Sequence, residues 1–280
     1  MSKKITAHTS GIGEQAGVVL FSQWNEICRL QALVLSRGDT DSIHDLRVAS
    51  RRMRATIGLF APFIAGKAVR KVSKELRRVT RKLGRLRNVD EAMIYVAALP
   101  GSLPDLAGKL RTARVLEMKA VAAVLKTFPR QDMDRVIREA VAALAVIPSA
   151  DETLPVYLSE TSIQRYQAVY DLLLPATDPE SAETRHALRI AIKKWRYLLE
   201  TLGQVCRQDY SAALETLKGY QTLLGSLNDL AEFGNLCDTL RIPDSEKEAL
   251  YAALARDTGT YLARFIETAA SQPPQYTYLP

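Results

Sequence analysis

Apolar residues recur along most of the chain every three or four positions, which is the spacing of an amphipathic helix. The pattern starts near Gln15 and is interrupted by glycine or proline at breaks such as Gly38, Pro148 and Pro243. No stretch shows the alternation of a β-strand. Helices are predicted over residues 15–37, 42–61, 68–99, 105–128, 131–147, 156–174, 180–204, 209–239 and 244–271. The fold class is therefore predicted to be all-α.

The breaks divide the predicted helices into two groups of four or five. We expect a flexible tail over residues 1–14, an N-terminal helical bundle over 15–148 and a C-terminal helical bundle over 149–280. The join between the bundles is predicted within residues 149–155. A chain of this length can bury a substantial core in either one large domain or two smaller ones.

One segment of the chain occurs twice. Residues 44–54 read HDLRVASRRMR, and residues 186–196 read HALRIAIKKWR, at a constant offset of 142 residues. Five of the eleven positions are identical, and three more exchange side chains of the same class. The repeated feature is a histidine with a ladder of cations, which the apolar pattern of a helix does not require. We interpret it as an internal duplication that presents two similar basic surfaces.

On a helix that turns about 100° per residue, the repeated cations form a stripe beside the apolar face. The two stripes consist of His44, Arg47, Arg51 and Arg54, and of His186, Arg189, Lys193 and Arg196. Arg52 and Lys194 lie on the far flank of these stripes. The helix that follows the first ladder carries a further row of cations, Lys74, Arg78, Arg81, Lys82 and Arg85. We expect these rows to line one basic groove.

Charge is divided unevenly between the halves. The net charge of +7 is the sum of a net charge of +13 in residues 1–150 and a net charge of −6 in residues 151–280. Between His44 and Asp90 there are 14 cations and three acids. Such a stretch repels itself unless an anion neutralises it. Most of the charge of the predicted groove therefore comes from the first half.

Rows of arginine and lysine suit a linear polymer of phosphates. Arginine binds phosphate oxygens through two parallel hydrogen bonds, and lysine adds a point charge. Spacings of three and four residues place successive charges about 4.5–6 Å apart along a helix axis. His44 and His186 could donate to phosphate when protonated, or could form structural hydrogen bonds instead. The sequence leaves both roles of the histidines open.

Several other classes of protein do not fit the composition. Cys28, Cys206 and Cys237 are widely separated, so neither a disulfide framework nor a zinc site is predicted. No apolar run approaches the roughly 20 residues that cross a bilayer, and no signal peptide is recognised. We expect a cytoplasmic protein that needs no metal or cofactor and does not bind membranes.

The helices that follow the two ladders contain similar segments around Gly84 and Gly225. A glycine inside a helix costs up to about 1 kcal/mol relative to alanine, so we expect close helix packing at both positions. Short polar residues stand nearby and are candidates to hold arginine side chains in place: Asn88, Asp90, Asn228 and Asp229.

These segments resemble the conserved-histidine α-helical domain, the CHAD family. The similarity rests on the ladder that begins at His44, the segment from Leu83 to Asp90, and the corresponding segments that begin at His186 and Leu224. It covers roughly residues 12–270, although Asn88 stands where an acidic residue is expected. The resemblance implies two four-helix bundles around a pseudo-twofold axis, with a basic cavity between them.

The resemblance also implies binding of inorganic polyphosphate rather than catalysis. The phosphate contacts that it implies are His44, Arg47, Arg51, Arg54, His186, Arg189, Lys193 and Arg196. Association with polyphosphate granules is one cellular role that the sequence leaves open, beside storage and signalling.

Two other functions are compatible with a basic chain. Nucleic-acid binding is disfavoured because aromatic residues are few, and Trp24 and Trp195 fall on apolar arcs that predict burial. An enzyme that acts on phosphoanhydrides needs an acidic cluster or a nucleophile near the cations, and Asp45 and Asp90 are isolated. We therefore predict a non-catalytic protein that binds inorganic polyphosphate.

Overall fold

In the computed structural model the described part of the chain consists of helices joined by short connections, which confirms the predicted all-α fold class. The structure describes residues 11–148 and 152–277, and these contain two short 3₁₀ turns, at Ala61–Phe63 and Pro175–Thr177, and no strand. The α-helices are α1 (Ile12–Arg37), α2 (Thr40–Leu59), α3 (Gly66–Ala98), α4 (Pro104–Lys126), α5 (Arg130–Ala145), α6 (Thr153–Leu173), α7 (Ala182–Cys206), α8 (Ser211–Asp238) and α9 (Asp244–Ser271). None of these described helices has the length and apolarity that crossing a bilayer requires.

The helix ends follow local signals in the sequence. Gly38 adopts a left-handed conformation with φ of 62°, and its N–H donates to the carbonyl oxygen of Val34 at 3.0 Å. The Asp39 carboxylate then caps α2 by accepting from the Ser42 N–H at 2.8 Å. Helix α1 begins at Ile12, so it includes residues that we predicted in the tail. The other tail residues, 1–10, and residues 149–151 of the predicted join lie outside the described residues.

The two halves of the chain pack against each other through the helices that carry the ladders. Helix α7 packs against α1 and α2, and α8 packs against α3. At the contact between α2 and α7, the buried hydroxyl oxygens of Thr56 and Thr201 lie 3.3 Å apart, within hydrogen-bonding distance. This contact makes the two copies of the repeated segment neighbours in space.

The apolar cores also include residues from both halves. The larger core contains Trp24 and Trp195, which are buried as predicted. A smaller core lies where the C-terminal end of α3 and the start of α4 meet α8 and α9. Its buried residues are Val89, Ala92, Val96, Leu106, Leu110, Leu230, Phe233, Cys237, Leu250 and Leu254. Because each core mixes the halves, separating the halves would expose apolar surface on both.

Glu246, near the start of α9, caps a helix of the other half. Helix α4 starts after Leu103, which offers no side-chain cap. Its first N–H groups, of Asp105 and Leu106, donate instead to Glu246 Oε1 and Oε2, at 3.1 and 2.9 Å. A carboxylate at this position satisfies two unpaired donors and interacts favourably with the positive end of the helix dipole. Glu246 is itself buried, so its contacts fasten the two halves together.

We predict that Glu246→Ala lowers the free energy of unfolding by about 2 kcal/mol, because two N–H groups at the start of α4, one of them buried, lose their acceptor. Chemical denaturation followed by circular dichroism measures the change. The exposed neighbour Glu248 is the matched control, and Glu248→Ala should change the free energy by less than about 0.5 kcal/mol. Equal effects of the two substitutions would show that the cap contributes nothing.

Candidate functional site

A cavity of about 640 Å³ lies where α2 and α3 meet α7 and α8. We call it the central cavity. Its lining includes eight basic side chains, six arginines and two lysines, and three carboxylates. These charged residues are Asp45, Arg47, Arg51, Arg52, Arg87, Glu91, Arg189, Lys193, Arg196, Lys218 and Asp229. The cavity therefore carries an excess of positive charge, and all four helices contribute to it.

The central cavity brings together residues of both repeated segments. The predicted site residues that line it are His44, Arg47, Arg51, Arg52, Arg189, Lys193 and Arg196. They come from α2 and α7, which place them side by side because the two helices are in contact. The cations of the two ladders thus face one shared space.

The other predicted site residues lie elsewhere. They are Arg54, Lys74, Arg78, Arg81, Lys82, Arg85, His186 and Lys194. Arg54 and Lys194 line a smaller neighbouring cavity of about 200 Å³. His186 lines a groove of about 510 Å³ between α7, α8 and α9, where its Nδ1 lies 3.2 Å from Asn228 Oδ1. A structural hydrogen bond is thus the interaction that the structure shows for this histidine.

The cations of the α3 row point away from the central cavity. Helix α3 lines the cavity through Arg87, Asn88 and Glu91. The row of Lys74, Arg78, Arg81, Lys82 and Arg85 is centred about 120° away from this face around the helix axis. In this row, Arg78 binds the Glu75 carboxylate and the Thr127 hydroxyl. None of these five cations lines the central cavity, and Lys74, Arg81 and Arg85 are exposed.

Sequence reasoning missed two cations that line the central cavity, Arg87 and Lys218. Arg87 stands one residue before Asn88, within the segment that supported the family resemblance. Lys218 belongs to a face of α8 that also includes Gln221, Thr222, Gly225 and Asp229. The sequence shows that these residues are spaced to share one face of α8. It does not show that this face meets the cavity, because the face carries no second cation beside Lys218.

Four cations in the centre of the cavity have no carboxylate partner. Arg47, Arg51, Arg189 and Lys193, which we call the cationic centre, form no ion pair with any residue that the structure describes. The Nε atoms of Arg47 and Arg189 are buried and lack a hydrogen-bond partner. Arg51 lies over the Tyr197 ring, with its Cζ atom 5.7 Å from the ring centroid. These unpaired donors are what a bound anion would satisfy.

Burial and like charge make the cationic centre costly to ionise. Lys193 is 7% exposed, and this burial, together with the charges of Arg189, Arg51 and Arg47, lowers its pKa to about 6. Asp229 acts in the opposite direction on the same pKa. Burial also lowers the pKa of the His44 imidazole, with a further contribution from Arg87.

The cations around this centre are better compensated. Glu200 lies between two of them: its carboxylate accepts from Arg52 Nε at 2.9 Å and lies 2.9 Å from Arg196 Nε. The second contact lacks the alignment of a hydrogen bond, and Arg196 donates through Nη1 to Gln221 instead. Arg87 forms an ion pair with Glu91. Positive charge is therefore least screened at the cationic centre.

The structure shows what surrounds the two helix glycines and which side chain Asp90 holds. A Cβ atom at Gly84 would meet Arg47 Nε at 3.8 Å, and one at Gly225 would meet nothing within 4 Å. The prediction of close helix packing is therefore wrong at Gly225, while Gly84 faces a guanidinium rather than a neighbouring backbone. Asp90 is buried and accepts from Arg114 Nε at 2.7 Å, so it holds an arginine side chain as predicted, and this arginine lies on α4 rather than in a ladder.

Comparison with known proteins gives the same family. The CHAD domain family matches residues 19–238 of the chain. No curated protein matches this chain. Among solved structures, the CHAD domain from the plant Ricinus communis is 20% identical, with a TM-score of 0.64 over 95% of this chain and 89% of that one. PptA from Streptomyces chartreusis is 17% identical, with a TM-score of 0.66 over 94% of this chain and 100% of that one.

The two structural likenesses support the fold, and the family match covers the ladder-bearing helices α2 and α7 and both glycine segments. The order of the repeated segments and the helical fold agree with that match. The chain belongs to the CHAD domain family.

Proposed function

We propose that the central cavity binds inorganic polyphosphate and that the protein does so without catalysing a reaction. The observation that carries the proposal is the cationic centre, in which Arg47, Arg51, Arg189 and Lys193 face one another with no carboxylate partner. Such an arrangement is unfavourable in the empty protein and favourable around an anion. Polyphosphate binding is known in the CHAD family, which supports this assignment.

A linear polyanion fits the geometry of this centre. Arg47 and Arg51 are one helical turn apart on α2, as are Arg189 and Lys193 on α7, so each pair spaces its charges by about 6 Å. The guanidiniums offer paired donors to phosphate oxygens, and the cavity of about 640 Å³ has room for more than one phosphate group. A single small anion would leave part of the positive charge uncompensated.

The cavity is less suited to nucleic acid. Proteins that bind single strands stack bases on exposed aromatic rings. Among the described lining residues, Tyr197 is the one tyrosine, phenylalanine or tryptophan, and Arg51 covers its ring. Single-stranded DNA would therefore gain charge neutralisation but little stacking in this cavity.

We predict that Arg51→Glu combined with Lys193→Glu weakens polyphosphate binding by about a hundredfold or more, because two cations of the cavity become anions. The melting temperature should stay the same or rise, since the new carboxylates face unpaired guanidiniums. Binding is measured by titration of labelled protein with long-chain polyphosphate at moderate salt, with single-stranded DNA as competitor and phosphate release followed in parallel.

The matched control for this double variant is Arg111→Glu with Lys119→Glu. Both residues are exposed on α4 and neither lines the central cavity. The control replaces the same two residue types by glutamate, so it isolates position from the kind of substitution, and it should weaken binding by less than about threefold. Equal losses in the two variants would show that the cavity is not the site. Steady phosphate release or tighter binding of DNA would reject the proposed function instead.

We predict that polyphosphate affinity rises as the pH is lowered from 8 to 6. The protonated amine of Lys193 attracts phosphate, so the bound anion raises its pKa above the value of about 6 in the free protein. Between these two pKa values binding takes up a proton, and affinity changes by up to about tenfold per pH unit. Below pH 6 the gain levels off. The depressed pKa of His44 acts in the same direction.

Isothermal titration in buffers of different ionisation enthalpy measures this proton uptake directly. Lys193→Arg is the test variant, because its guanidinium stays charged over this range, and His44→Gln removes the second contribution. We expect the double variant to bind with a nearly flat pH profile. An unchanged slope in that variant would assign the pH dependence to other groups.

We expect the α3 row to contribute to the binding of long polyphosphate chains and not to that of short ones. Lys74 and Arg81 are exposed on α3, the helix whose Arg87 and Asn88 line the cavity, so we expect a chain that extends out of the cavity along this helix to reach them. We predict that Lys74→Gln with Arg81→Gln weakens binding of long-chain polyphosphate several-fold and lowers its salt dependence by about two charges. Binding of tripolyphosphate should change by less than about twofold. Equal losses for both ligands, or no loss for either, would contradict this role.

A further inference from the structure

Lys193 combines two properties that rarely occur together in one side chain. It is buried on α7, yet it lines the central cavity and so faces space that a ligand can enter. The charged groups around it are Arg47 and Arg51 on α2, Arg189 on α7 and Asp229 on α8. It forms no ion pair with a carboxylate of the described residues. Its amine therefore lies next to anion-binding groups without being neutralised by an acid.

The state of this amine differs from that of an ordinary lysine. Burial and the three guanidiniums lower the pKa of Lys193 to about 6, whereas an exposed lysine titrates near about 10.4. At neutral pH most Lys193 side chains are thus uncharged amines, while exposed lysines are almost fully protonated. An uncharged lysine amine is a nucleophile, and proximity to other cations is a known means of activating one.

We propose that Lys193 captures small carbonyl compounds that carry an anionic group, such as phosphorylated aldehydes, as a Schiff base. The guanidiniums of Arg47, Arg51 and Arg189 would hold the anionic group while the amine reaches the carbonyl carbon. This inference rests on the proposed function to the extent that the same guanidiniums hold phosphate in both cases. It adds a second ligand class and a covalent bond to the central cavity.

The reaction requires no further reagent. The lone pair of Lys193 Nζ attacks the carbonyl carbon, the C=O π bond opens, and a proton passes from nitrogen to oxygen to give a carbinolamine. Loss of one water molecule then forms the C=N bond of the imine. No atom is oxidised or reduced, and the reaction reverses by hydrolysis. A bound phosphorylated aldehyde would occupy the cationic centre, so it should compete with polyphosphate.

The probe for this reaction is pyridoxal 5′-phosphate, an aldehyde with one phosphate group. The full chain is incubated with an equimolar amount at pH 7.5, the imine is reduced with borohydride, and labelled lysines are identified by peptide mass spectrometry. We expect Lys193 to carry label at least tenfold above Lys194, its exposed neighbour on the same helix. Pyridoxal, which lacks the phosphate, should label Lys193 at least tenfold more slowly.

Two variants and a pH series sharpen the test. Lys193→Arg should lose this label, while Lys194→Arg should retain it. The labelling rate of Lys193 should rise with pH and level off below about pH 9, whereas that of exposed lysines should still increase there. Label spread evenly over the lysines, or equal labelling by pyridoxal and its phosphate, would overturn the inference.

Polyphosphate binding measured on the same preparation separates this inference from the proposed function. If polyphosphate binds and Lys193 is not labelled, the reactive lysine is rejected and the proposed function stands. If Lys193 is labelled but polyphosphate neither binds nor protects it, the proposed function is rejected and the reactive lysine stands. Selective labelling of Lys193 that polyphosphate suppresses supports both.

Discussion

The contact between α2 and α7 is the constraint on which the site depends. Each helix has an apolar face that must be buried and a row of cations directly beside it. Burying both apolar faces in one core brings the two rows close together, although the charges repel each other. The hydrophobic effect therefore supplies the free energy that holds Arg47, Arg51, Arg189 and Lys193 in one cavity. Because these side chains repel one another in the empty cavity, a bound polyanion relieves the repulsion and is attracted to the site.

Carboxylates around the cavity limit that repulsion without removing it. Glu200 lies between Arg52 and Arg196, and Glu91 pairs with Arg87. These acids compensate the periphery, where solvent would in any case weaken the field. The cationic centre forms no ion pair with a carboxylate of the described residues, although Asp229 partly offsets its charge, and there a phosphate oxygen gains most from each contact. The distribution of acids thus concentrates the positive potential at one place.

Much of the fold could be predicted from the sequence because its signals are local. Helix periodicity, the Gly38–Asp39 break and the prolines gave helices close to the observed ones, and the repeat identified the two ladder helices. Which face of α3 meets the cavity could not be predicted in this way. On α3 the densest row of cations faces outward, and the cavity is lined by Arg87 and Asn88, because the apolar residues set the rotation of the helix. Glu200 and Glu246 were also missed, since each acts on a residue more than a hundred positions away.

The cap that Glu246 forms on α4 links the two halves through residues that do not line the central cavity. Together with the two mixed cores, it means that neither half has a complete interior of its own. Because residues of each half complete the interior of the other, we expect an insertion or deletion in one half to destabilise both.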